Sequence, residues 1–184
     1  MAKLSGMLSG WRHRMVVPYV KGRVLDIGCG NAMMLQKHHS NIDRYVGVEF
    51  SPARVERLAE QFPEATFISR DLDRQPLALD ERFDTILLIA VIEHIWNQKF
   101  LFEQIIELIA PSGKIIITTP TPFGNDMIHP LGAAMGIFAQ SAVEDHIVIY
   151  NRRRFRNLAR EFALRLLVYR RFQFFSNQLA ILGK

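Results

Sequence analysis

The run Val24-Leu25-Asp26-Ile27-Gly28-Cys29-Gly30-Asn31 constrains this chain more than any other part of it. An apolar stretch closes on an acid and passes at once into two glycines flanking a single residue. Glycine reaches left-handed backbone angles freely and carries no Cβ, so such a turn bends tightly and lets a ligand approach the main chain. Arg23 to Ile27 reads as a strand and Asn31 to His38 as the helix that follows. Glu49 stands 21 residues beyond Gly28, at the end of the next apolar run, where a carboxylate can accept both hydroxyls of a ribose. A third glycine at position 33 would favour a dinucleotide, but Met33 stands there. Asp26 would also sit awkwardly against a pyrophosphate and suits a cationic amino-acid group.

The same alternation repeats down the chain. Tyr45 to Val48 is a second strand, followed by Ser51-Pro52 as a helix start and a helix over Arg54 to Gln61. Thr66 to Ile68 is a third strand, running out near Asp71, and the uninterrupted apolar run Phe83 to Ile89 is a fourth. Lys99 to Ile109 is helical, Pro111-Ser112-Gly113 breaks it, and Lys114 to Thr119 is a fifth strand. Asn151 to Phe162 then reads as a helix. Leu164 to Tyr169 and Phe172 to Leu182 read as two strands turning at Arg170-Arg171. Leu4 to Tyr19 forms a short amphipathic helix ahead of the whole pattern. Strands alternating with helices call for a parallel sheet covered on both faces, with ligands collecting at the carboxyl ends of the strands.

The length of 184 residues suits one domain, and 49% hydrophobic against 22% charged residues is a globular balance. One cysteine, Cys29, excludes a disulfide scaffold and fits a reducing cytoplasm. The net charge of +5 is unevenly placed: residues 131–184 hold 9 of the 23 Lys/Arg and only 3 of the 18 Asp/Glu. Any argument toward nucleic acid or a membrane surface is therefore an argument about that segment. No stretch approaches the length of a membrane span, which leaves peripheral contact as the membrane option.

Taken with Phe83-Asp84-Thr85-Ile86-Leu87-Leu88-Ile89-Ala90-Val91-Ile92-Glu93-His94-Ile95 and Leu108-Ile109-Ala110-Pro111-Ser112-Gly113-Lys114-Ile115-Ile116-Ile117-Thr118-Thr119-Pro120, the glycine run resembles the class I S-adenosylmethionine-dependent methyltransferases. The likeness is to the small-molecule branch related to quinone-biosynthesis and sugar methyltransferases, and it extends from about Lys21 to Lys184. It implies an α/β fold: a single Rossmann-like, doubly wound, seven-stranded sheet, mostly parallel, with one antiparallel strand near the C-terminus. It also implies one methyltransferase domain over 1–184: an N-terminal helix (1–20), a cofactor core (21–120), a lid or acceptor segment (121–150), and a closing helix and hairpin (151–184).

The resemblance assigns roles by position. Asp26, Gly28 and Gly30, with Cys29 between them, would hold the methionine end of S-adenosyl-L-methionine. Glu49, with Phe50 beside it, would take the ribose, and Asp71 with Leu72 the adenine. Asp73 lies within reach of the same task as Asp71, and Ala90 would line the pocket near the sulfonium. Relatives that bind a divalent ion use Glu-x-x-Glu-His here, but Ala90 stands at the first glutamate and no metal is expected.

Methyl transfer to a hydroxyl or an ammonium also needs a proton acceptor, and a histidine suits that. His94, just past the fourth strand, and His146, after the irregular segment, are the two candidates; a structural role for both is the other reading. The expected reaction is methylation of an oxygen or nitrogen of a small, apolar or amphipathic acceptor. A non-catalytic cofactor-binding or partner-binding module is the alternative. Nucleic acid is disfavoured, because the fourth strand lacks the Asn/Asp-Pro-Pro-aromatic signature of base methylation. The arginines from Arg152 to Arg160 read as the solvated face of a packed helix.

Overall fold

A computed structural model describes residues 2–124 and 147–184. Of the expected lid or acceptor segment (121–150), residues 125–146, His146 among them, lie outside the described residues. The strands are β1 (Gly22–Ile27), β2 (Ile42–Glu49), β3 (Thr66–Ser69), β4 (Phe83–Ile89), β5 (Ile109–Pro120), β6 (Arg165–Phe172) and β7 (Asn177–Gly183). They form one sheet in the order β3-β2-β1-β4-β5-β7-β6. β1 pairs in parallel with both β2 and β4, so the strand order reverses between β1 and β4. β7 runs antiparallel to both of its neighbours, giving the one reversed strand. The crevice at a reversal point, at the carboxyl ends of the strands, is where sheets of this kind bind ligands.

Side chains alternate between two faces of the sheet, and each face carries its own core. Leu25, Ile27, Ile86 and Leu88 pack against α4 (Gln98–Leu108), through Leu101, Phe102 and Ile105, and against α5 (Arg152–Glu161), through Phe155 and Leu158. Val24, Leu87, Ile116, Leu179 and Ile181 face the other way. There they meet α1 (Ala2–Val16) at Val16, α2 (Met33–His38) at Met34 and Leu35, and α3 (Pro52–Gln61) at Leu58. The fold class implied by the resemblance is the one observed.

Local chemistry sets the helix starts. Ser51 accepts the backbone N–H of Arg54 and Pro52 occupies the first helical turn of α3. Asn151 caps α5 by accepting from the Arg154 N–H at 2.9 Å. The α5 arginines 152, 153, 154, 156 and 160 are exposed while Phe155, Leu158 and Ala159 are buried.

Two boundaries differ from expectation. Pro111-Ser112-Gly113 does not separate a helix from a strand, because α4 already ends at Leu108 and β5 runs from Ile109 through the exposed Pro111 and Ser112. The C-terminal hairpin does not turn at Arg170-Arg171. Those residues pair with Leu179 and Gln178, and the turn is Gln173 to Ser176. Two arginines resemble a turn in composition, but seven backbone pairs between β6 and β7 set the register.

Candidate active site at the carboxyl ends of β1 and β4

The glycine turn leaves β1 with Gly28 at φ +70° and Gly30 at φ +59°. The Cys29 N–H donates to the Val48 carbonyl at 2.9 Å, which ties the turn to the end of β2. The two glycines answer different needs. A Cβ on Gly28 would lie 2.5 Å from Val91 Cγ2, whereas a Cβ on Gly30 would meet nothing within 4 Å. Gly28 is required by packing against the segment after β4. Gly30 is required by its backbone angle, and it leaves open space above the turn.

Asp26 is 3% exposed, and its Oδ2 accepts a 2.7 Å hydrogen bond from the Tyr45 hydroxyl. Burial pushes its carboxyl up to about 7, against the opposing pull of that bond. Glu49 is also buried and stitches three elements together. Its Oε2 accepts the Gly30 N–H at 3.1 Å, and its Oε1 accepts the Ser51 N–H at 3.1 Å and the Arg54 guanidinium at 2.7 Å. With the Gly30 N–H as its donor, Oε2 keeps acceptor capacity beside the open space over Gly30. Phe50, 71% exposed, extends the surface beyond Glu49.

Asp71 follows β3 and organises the next turn. Its Oδ1 accepts the Asp73 N–H, and its own N–H donates to Gln75 Oε1. Asp73 points elsewhere, with Oδ1 accepting the Asn97 N–H at 2.7 Å at the start of α4. The two acids thus divide: Asp71 stands at the β3 end and Asp73 anchors a helix. Leu72 packs partly buried against the α4 side of the sheet. Ala90 closes β4 at φ +56°, its N–H donating to the Thr118 carbonyl at 2.9 Å. Cys29 is buried, and desolvation raises its thiol above the ordinary range, so it is not an activated nucleophile.

The turn Ile92–His94 after β4 places its two titratable residues on opposite sides. His94 is exposed and Glu93 is 1% exposed. The Glu93 carbonyl accepts the N–H groups of Ile147 and Val148, and its side-chain Oε2 is buried without a hydrogen-bond partner. Burial raises the Glu93 carboxyl, opposed in part by His94 and Arg12.

Arg12 belongs to α1, a helix to which sequence reasoning attached no site residue. Ser9, Arg12 and His13 close over the glycine turn and, with Asp26, Gly28–Asn31, Met33 and Ile89, line a cavity of about 190 Å³. Arg12 Nε is buried with no hydrogen-bond partner, and burial lowers the guanidinium while Glu93 raises it. No spacing in α1 announced this contact; only the docking of Val16 against Met34 and Leu35 swings Arg12 over the turn. Among the described residues no group of three His, Cys, Asp or Glu side chains is arranged to hold a metal ion.

The family model described as a methyltransferase domain matches residues 5–168. The chain belongs to that family. It is 26% identical over 97 residues to a probable S-adenosylmethionine-dependent methyltransferase of Mycolicibacterium smegmatis, covering 53% of this chain and 37% of the relative. It is 29% identical over 106 residues to a ubiquinone biosynthesis O-methyltransferase of Cereibacter sphaeroides, covering 56% and 43%. The chain thus spans about two-fifths of the length of these curated relatives.

Among solved structures, an S-adenosylmethionine-dependent methyltransferase from Mesorhizobium loti superposes with a TM-score of 0.73 at 16% identity, covering 98% of this chain and all of that one. A Haloferax volcanii putative methyltransferase, solved with the Trm112 methyltransferase activator, gives 0.74 at 16% identity, covering 99% and 93%. At these identities the likeness is one of fold.

Proposed function

We infer that the chain is an S-adenosylmethionine-dependent methyltransferase that transfers a methyl group to an oxygen or nitrogen of a small, apolar or amphipathic molecule. The observation that carries this reading is the coupling of Gly30 to Glu49 at 3.1 Å, which sets a buried carboxylate beside an open, left-handed glycine turn. The residues present fit the cofactor chemically. Asp26 offers a carboxyl to an ammonium, and Arg12 offers an unpartnered buried N–H to a carboxylate. The cavity of about 190 Å³ accommodates the amino-acid end, being smaller than the roughly 300 Å³ from which pockets for whole drug-sized ligands begin. Glu49 and Phe50 then receive the ribose on the open side, and Asp71 with Leu72 the adenine.

When bound, the cofactor supplies an electrophilic methyl group on a sulfonium. The chain's own contribution is alignment. Ala90, small and held at the end of β4, would line the space near the sulfonium, where alignment of the acceptor contributes to the rate. The acceptor must also lose a proton. His94 and His146 remain the histidine candidates, and the buried Glu93 carboxyl joins them through its unpartnered oxygen. The domain division belongs to the same proposal: 21–120 as the cofactor core, 121–150 as the lid or acceptor segment, and 151–184 as the closing helix and hairpin.

Calorimetric titration with S-adenosylmethionine and S-adenosylhomocysteine tests the reading. Micromolar binding of either is expected, and Glu49→Ala is expected to weaken it at least tenfold, about 1.4 kcal/mol. No heat at millimolar ligand refutes the proposal. Undiminished binding by the variant refutes the ribose assignment alone.

A further inference from the structure

The turn between β6 and β7 is built in an unusual way. Gln173, Phe174 and Phe175 have φ of +51°, +54° and +66°, three successive residues with a Cβ in the left-handed region. That region is disfavoured for any L-residue with a side chain, and most for bulky ones. The rings are not driven there by burial, since Phe174 is 84% and Phe175 64% exposed.

The backbone beneath them is clamped. The Thr121 hydroxyl donates to the Phe175 carbonyl at 2.6 Å, and the Thr121 N–H donates to the Ser176 carbonyl at 2.9 Å. The Ser176 hydroxyl and N–H both donate to the Gln173 carbonyl. A strained conformation held from inside, with its apolar side chains turned outward, marks a segment whose shape serves contact with something else.

Further observations bear on what that contact is. Two adjacent, exposed phenyl rings stand at a hairpin end, which suits insertion into a soft apolar phase. Arg170 and Arg171 lead into it from β6, both exposed, and neither is in an ion pair among the described residues. The tip also stands at the active-site edge of the sheet, because Asn177, the first residue of β7, pairs with Pro120 at the carboxyl end of β5. Trp11 packs edge-on against Phe174 at 6.1 Å, which joins the tip to α1 one residue before Arg12 of the cavity. Among the described residues no helix is long and apolar enough to cross a membrane.

We propose that the β6–β7 tip, Phe174 and Phe175 flanked by Arg170 and Arg171, is a peripheral docking site for an anionic lipid bilayer. The rings enter the interface and the arginines meet lipid phosphates, an arrangement in which each basic residue contributes roughly fivefold in affinity at low salt. This docking sets the cavity mouth at the membrane surface, and it is independent of the methyl-transfer reading.

The test is co-sedimentation of the full chain with vesicles of phosphatidylcholine alone and of phosphatidylcholine mixed with phosphatidylglycerol. Sedimentation with the anionic vesicles only, weakened by salt, is expected. The double variant Phe174→Asn/Phe175→Asn tolerates left-handed angles better than phenylalanine, so it is expected to melt no lower than the parent while losing vesicle binding about tenfold or more. Arg170→Gln/Arg171→Gln is expected to lose most of the salt-sensitive part.

Parent chain that fails to sediment with anionic vesicles overturns the proposal. So does an asparagine variant that binds as well as the parent. If the double variant misfolds, Phe175→Asn alone decides in the same two directions, by losing vesicle binding or by keeping it.

Discussion

Asp26→Asn separates the stability of the fold from the work of the site. In the folded chain the Asp26 carboxyl, 3% exposed, keeps its proton up to about pH 7, while in the unfolded chain it releases it near the ordinary value of 3.8. Between those values the folded state binds one proton more than the unfolded state. Stability therefore falls as pH rises, and the full penalty is present above about pH 7. At about 1.4 kcal/mol per pH unit, the gap between 3.8 and about 7 is worth about 4 kcal/mol.

Asparagine carries no charge and retains an oxygen for the Tyr45 hydroxyl, whose 2.7 Å bond would otherwise be lost. The variant should match the parent near pH 4, become more stable than it as pH rises, and level off above about pH 7 with a gain of up to about 4 kcal/mol. Urea denaturation of both chains at matched pH measures this, and the other titrating groups cancel in the difference. A pH-independent difference would refute the reasoning, as would a parent that gains on the variant with rising pH, since Asp26 would then be ionised and paired. The natural acid at a position where an amide folds better is the mark of a residue kept for binding. The same variant is accordingly expected to bind S-adenosylhomocysteine more weakly.

The two glycines of the turn should respond differently to alanine. Gly28→Ala adds a Cβ 2.5 Å from Val91 and a left-handed penalty, together about 2–5 kcal/mol, and a fall in melting temperature of roughly 4–20 °C. Gly30→Ala meets no atom within 4 Å and should cost only the backbone penalty of about 1–2 kcal/mol, while its methyl group narrows the open side of the site and lowers cofactor affinity. Arg12→Ala should weaken S-adenosylhomocysteine about tenfold or more yet leave methylthioadenosine, which lacks the amino-acid carboxylate, unchanged; equal losses for both ligands would show that Arg12 only holds α1 in place.

The β1–β4 half of the sheet was readable because its information is local. Alternating apolar runs of strand length, a glycine turn at Gly28 and Gly30, and an acid at the end of each of the first two strands are patterns within a few residues of each other. They coincide with β1, β2 and β4 as observed. The proline and serine of Pro111-Ser112-Gly113 read as a break because composition does not say whether a bend lies between elements or within one. Here β5 pairs with β4 on both sides of it, at Ile109 and again from Lys114, with the register shifted in between. The turn at Gln173 to Ser176 was hidden for a related reason, since nothing in Phe174-Phe175 favours left-handed angles; the β6–β7 register and the hydrogen bonds from Thr121 and Ser176 hold them there.

What the sequence determined by itself is the order of strands and helices, the turn that can approach a ligand, and the positions of Asp26, Glu49 and Asp71 at strand ends. Which side chains face inward at those ends was decided by tertiary structure. A three-residue turn after β4 buries Glu93 and exposes His94, adjacent residues that composition alone treats alike. The docking of α1 onto α2 carries Arg12 to the turn at Gly28, across a separation no periodicity spans. Periodicity records which face of an element is apolar; which polar residue at its end meets which neighbour depends on how whole elements pack, and that is settled only when the two cores close on the sheet.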